Sequence, residues 1–90
     1  MNTKHTPAPW EVNPRATRNV RHGNLTIANC SSSQDGSREE EEIANAKLIA
    51  AAPELLEACI IALYTLDYID FPREHKASEK LNNAIKKATT

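Results

Sequence analysis

Glycine is scarce in this 90-residue chain, with only Gly23 and Gly36 present. A phosphate-cradling loop or a dinucleotide fingerprint needs several glycines in one turn, so both are excluded. Aromatic residues are scarce too, at 4%, and a core must rely on Ala, Leu and Ile. Cysteine occurs twice, as Cys30 and Cys59. These form no C-x-x-C pair and no zinc spacing with His5, His22 or His75. Two reduced thiols and no metal site are expected. A formal net charge of −1 gives no bulk attraction to nucleic acid. The longest apolar run, Ala58 to Tyr64, falls far short of the ~18 residues of a membrane span. The opening MNTKHTPAPW lacks the apolar core of a signal peptide. One small cytoplasmic domain, residues 1–90, with no membrane association, is the expectation.

Charge and proline divide the chain near residue 37. Residues 1–37 carry a net charge of +2, both glycines and three of the five prolines; residues 38–90 carry −3. Trp10-Glu11-Val12 alternates apolar and polar as a half-buried strand does. Pro7, Pro9 and Pro14 bracket it, which predicts a short strand at a sheet edge. His22-Gly23-Asn24 is a turn signal. It predicts a hairpin of Arg18 to Arg21 against Asn24 to Asn29, followed by a polar loop over 31–37.

The second part reads as helical. A first helix is expected from Ser37 or Arg38, with Ser37 as N-cap and Glu40 completing a capping box. Glu39 to Glu42 would sit solvated on its first turn, where the helix dipole favours acids. Ile43, Ala46, Ile49 and Ala50 would face inward. Pro53 marks either the end of that helix or the start of the next. Leu55, Leu56, Cys59, Ile60, Leu63 and Leu66 then recur at helical spacing. After a break at Asp70 to Arg73, a third helix is expected from Glu74 to Ala88. Its inward face would hold Ala77, Leu81, Ala84, Ile85 and Ala88. The fold class is therefore α+β, a short N-terminal hairpin or small antiparallel sheet packed on two to three helices. Trp10, Val20, Leu25 and Ile27 would be its strand-side core. Its alanine-rich faces leave more apolar surface than one hairpin covers, so a homo-oligomer is expected.

No catalytic constellation is legible. The carboxylates cluster on a helix start, the histidines are scattered, and no serine sits in a nucleophile motif. An enzyme would have to use His22 or His75 with a nearby acid. Two binding surfaces are legible instead. Trp10, Arg15, Arg18, Arg21 and His22 combine cationic forks with a flat ring, a set able to hold a phosphate-bearing ligand. The competing reading is a core tryptophan surrounded by solvated arginines. Tyr64, Tyr68, Ile69 and Phe71 form the second cluster, suited to a protein contact if exposed. The competing reading there is a cap on the end of the core.

Two stretches resemble the marks of a known group. Thr6-Pro7-Ala8-Pro9-Trp10-Glu11-Val12 resembles the TPGPW-x-V opening of small accessory proteins of tailed bacteriophages and prophages. Asn45-Ala46-Lys47-Leu48-Ile49-Ala50-Ala51-Ala52-Pro53-Glu54-Leu55-Leu56-Glu57-Ala58 resembles their NA-x-LIAAAPELLEAL stretch. Such proteins carry a hairpin ending in an Ile-Ala pair between the two marks, as Ile27-Ala28 does here. Ala8 stands where the group has glycine, and residues 65–90 match nothing in it. The resemblance implies a non-structural accessory protein of the bacterial cytoplasm, of a kind that often acts by binding; with no catalytic signature legible, no enzymatic activity and no cofactor are expected. Its expected action is to blunt a host factor, with counter-defence the favoured setting. The leading mechanism is inhibition of a host defence or regulatory protein. The alternatives are an oligomeric sponge for a nucleotide immune signal and a small DNA-binding regulator. DNA binding ranks last, because the third helix has only a mild cationic excess.

Overall fold

The computed structural model describes residues 4–69 and 75–89. Three strands precede three helices: β1 Glu11–Asn13, β2 Ala16–His22, β3 Leu25–Asn29, α1 Glu39–Ala50, α2 Ala52–Ile69 and α3 His75–Thr89. The α+β class read from the sequence is the observed one. The chain clusters into two compact units. One is Thr6–Pro53; the other is Glu54–Thr90 with Met1–His5.

The first unit holds the sheet and α1. The strands are antiparallel in the order β1-β2-β3, which places the proline-bracketed β1 at an edge. Asn13 pairs with Ala16 across a tight turn, where the Asn13 side-chain oxygen accepts a 3.0 Å bond from the Arg15 amide. His22 pairs with Leu25 across Gly23-Asn24. Gly23 sits there at φ +59, a conformation a Cβ would strain. Each ladder carries one irregularity. On β3, Val20 faces Ala28 while Arg21 faces Thr26, leaving Ile27 unmatched.

Alternation along β2 sends Arg18 and Val20 to one face and Arg21 to the other. The sheet packs against α1. Val20 and Ala46 are fully buried there, and Glu42 is 1% exposed. Of the expected strand-side core, Leu25 is 56% exposed and Ile27 and Trp10 are half-buried. Leu25 is thus corrected from core to surface: it directly follows the turn, where the hairpin projects into solvent. Because Val20 is closely surrounded, Val20→Ala should cost about 2 kcal/mol, two lost methyl contacts plus a small cavity. Chemical denaturation measures it; a loss under about 0.5 kcal/mol would mean that the site is not tightly packed.

The start of α1 differs from expectation. Arg38, not Ser37, holds the cap position, and it makes no side-chain cap bond. The Ser37 amide instead donates to Asp35 Oδ1 at 3.0 Å. That bond closes a turn in the 31–37 loop and holds the Asp35 carboxyl below its ordinary value. The helix ends at Ala50, with Ala51 as C-cap. Pro53 belongs to the next helix, consistent with the missing N–H that makes proline welcome in a first turn.

In the second unit, Ile85 on α3 is the most buried of the described side chains, at 3% exposure. Ala77, Ser78, Leu81 and Thr89 are half-buried, whereas Ala84 and Ala88 are exposed. The stripe therefore follows four-residue steps through Leu81, Ile85 and Thr89. The expected break at Asp70 to Arg73 lies outside the described residues. Among those described, no single helix is long and apolar enough to cross a membrane.

Candidate functional site

The most elaborate polar constellation is built around Glu42, in the first turn of α1. Its side chain lies one turn before Ala46 on the face turned to the sheet. Glu42 Oε1 accepts from Arg18 at 3.1 Å. Glu42 Oε2 accepts from the Ser33 amide at 2.8 Å, the Ser32 hydroxyl at 2.8 Å and the Ser32 amide. The Ser33 hydroxyl lies at 3.4 Å. The Ser32 amide and hydroxyl, with help from the Ser33 amide and Arg18, outweigh desolvation and hold the carboxyl at about 2. Glu42 therefore stays ionised throughout the neutral range. The donors come from Arg18 on β2 and from Ser32 and Ser33 in the loop, so the cluster ties strand, loop and helix together. A group that exchanges protons with a substrate needs a free approach; Glu42 is 1% exposed and its oxygens already face donors of this chain.

This placement corrects the reading of Glu39 to Glu42 as a uniformly solvated turn. Glu39, Glu40 and Glu41 are exposed, and Glu42 is buried. Arg38 makes a two-pronged pair with Glu41 at 2.8 and 3.0 Å.

The hairpin arginines do not converge. Arg18 reaches across to α1 and is spent on Glu42. Arg21 pairs with Glu11 on the adjacent strand at 2.9 Å, on the opposite face of β2. Arg15 is exposed at the β1–β2 turn. The period of two along a strand separates residues three apart onto different faces, which is why 18 and 21 part company. The Arg21–Glu11 pair is 33% and 56% exposed, so Arg21→Ala should cost at most about 0.5 kcal/mol. Arg18→Ala should cost several times more, because it strands a buried carboxylate oxygen. Equal losses in a melting experiment would contradict this division of roles.

His22 Nδ1 lies 2.8 Å from the Pro9 carbonyl oxygen, which fixes the segment leading into β1 against β2. Trp10 donates from Nε1 to the Thr6 carbonyl at 3.0 Å. It is half-buried rather than a fully enclosed core ring, because it sits before β1 at the sheet edge. Beside the Glu42 cluster runs a groove of about 400 Å³ lined by Cys30, Ser32, Arg38, Asn45, Leu48 and Ile49. Both cysteines are free thiols. Among the described residues no group of His, Cys, Asp and Glu could hold a metal ion.

The second predicted surface is seen in part. Tyr64 is 61% exposed. Tyr68 and Ile69 lie in the last turn of α2, and their side chains, like the whole of Phe71, fall outside what is described. Sequence reasoning missed a neighbour: Ile61, three residues before Tyr64, is 58% exposed. Its signal was the apolar run Ala58 to Tyr64, which is longer than one helix face can absorb. Glu57, Ala58 and Thr65 share that side at helical spacing, and all are exposed.

Comparisons with curated proteins and with solved structures gave no match. Comparison with protein-family models matched one family, described as Salmonella phage P22 protein Y8K6, over residues 1–90. A match over the full length places the chain among small phage proteins, in agreement with the coarser part of the sequence resemblance. The chain belongs to the Salmonella phage P22 protein Y8K6 family.

Proposed function

We propose that this phage protein is a non-enzymatic accessory factor that acts in the bacterial cytoplasm by docking α2 onto a host protein, with counter-defence as its setting. One observation carries the reading. Helix α2 is predominantly apolar, with Glu54, Glu57 and Asp67 as its charged residues, yet none of its described side chains is fully buried. A helix so rich in apolar residues normally has an interior to enter. Here Leu55, Ile61 and Tyr64 remain 50%, 58% and 61% exposed. Tyrosine is enriched among the anchors of protein interfaces. The hairpin supports the nucleotide-sponge alternative less well, because Arg18 and Arg21 lie on opposite faces and each already has a carboxylate partner.

The test is a photoreactive phenylalanine analogue in place of Ala58, in the full chain expressed in host cells. Ala58 is exposed on the same arc, so the probe reports what covers it. An adduct with a host polypeptide supports the reading. An adduct only with a second copy, or none in cells where the protein is folded and abundant, overturns it.

A further inference from the structure

Resting on the docking reading just given, we infer that the partner of α2 presents an apolar groove rimmed by lysine or arginine, and is not a second α2. The charged residues of α2 are Glu54, Glu57 and Asp67, and the helix contains no lysine, arginine or histidine. Glu54 and Glu57 are exposed and lie on the same arc as Ile61 and Tyr64, nearer the start of the helix. The docking surface is thus an apolar patch with carboxylates at one end.

Self-pairing cannot neutralise that end. A parallel pair sets Glu57 against Glu57 of the other copy. An antiparallel pair centred between Ile61 and Tyr64 sets Glu57 against the C-terminal end of α2, whose sequence contains no cation. In either arrangement the carboxylates lose water without gaining a counter-charge, which opposes association. A groove edged by cations resolves both needs at once: it covers Ile61 and Tyr64 and meets Glu54 and Glu57 with opposite charge. An amphipathic helix laid into such a groove is a recurrent recognition mode. Opposite charge also speeds encounter, so capture should be salt-sensitive.

The experiment uses the Ala58 photoprobe in the full chain and compares three backgrounds: the parent, Glu54→Gln/Glu57→Gln, and Glu54→Lys/Glu57→Lys. Circular dichroism confirms folding in each; these side chains are exposed, so folding should persist. Adduct yield with the host polypeptide should fall in that order, at least tenfold for the lysine pair. The cross-linked host peptide, sequenced by mass spectrometry, should lie within a surface carrying Lys or Arg. A host adduct whose yield is unchanged in both charge variants overturns the cationic rim and leaves the docking reading standing. An adduct only with a second copy, or no adduct, overturns both.

Discussion

Glu42→Gln should lower the melting temperature by roughly 8–15 °C, the scale expected when a buried, multiply bonded carboxylate loses its charge in a domain of this size. Five donors converge on its two oxygens. Glutamine keeps one acceptor oxygen and turns an NH2 group toward donors, so the fit fails on one side while the volume is preserved. The loss is local in origin. Hydrogen exchange should show the Ser32 and Ser33 amides losing protection before the strands do. If the amides stay protected and melting is unchanged, the cluster is a surface contact and not the tie that fixes the loop to α1.

The same carboxylate gives a pH signature. Its value falls from an ordinary 4.5 to about 2 on folding. A group depressed in the folded state adds stability above its unfolded value and loses it as pH falls through the folded one. The parent protein should therefore weaken between about pH 5 and pH 2, and its advantage over Glu42→Gln should vanish near pH 2. A residual slope will persist in the variant. Asp35, bonded to the Ser37 amide, and Glu41, bonded to Arg38, are also held below the usual carboxylate range.

Patterns of apolar residues and turn chemistry were legible in the sequence; the polar junction was not. Gly23 with its neighbours announced the hairpin, the prolines announced an edge strand, and the periodicity of α2 and α3 announced two helices. Glu42 was hidden because it is the fourth of four identical residues. Nothing in Glu39-Glu40-Glu41-Glu42 says which one turns inward. Only the pairing register of β2, which sends Arg18 toward α1, selects it. The same register separated Arg18 from Arg21, so a cluster that looked dense in sequence was divided between two faces. Ser37 was a plausible cap by residue type, but the Asp35 side chain binds its amide and the helix begins one residue later than that cap requires. The exposed arc of α2 was half legible. The tyrosine was noticed, and Ile61 was overlooked because an isoleucine in an apolar run looks like core until its exposure is known.

Ile61→Asp/Tyr64→Asp should reduce host-partner capture by the Ala58 photoprobe at least 100-fold while leaving the melting temperature within about 3 °C of the parent. Both side chains are more than half exposed, so folding gains little from them and loses little without them. In a complex the balance reverses. Each anchor would fill an apolar pocket, truncation of an interface anchor costs ~2 kcal/mol or more, and a carboxylate placed there adds a desolvation cost. Two such losses compound to the stated factor. The matched control is Leu48→Asp. Leu48, on α1, is 64% exposed and lines the groove with Asn45 of the same helix and Cys30 just after β3, so it tests the other apolar surface with the same chemistry. Capture that survives the α2 pair but disappears with Leu48→Asp would move the docking surface from α2 to that groove. Capture lost only together with the melting transition would show that Ile61 and Tyr64 support the fold. Loss of capture from a fully folded α2 variant, with Leu48→Asp near the parent, is the result expected if the outer arc of α2 is where this phage protein meets its host target.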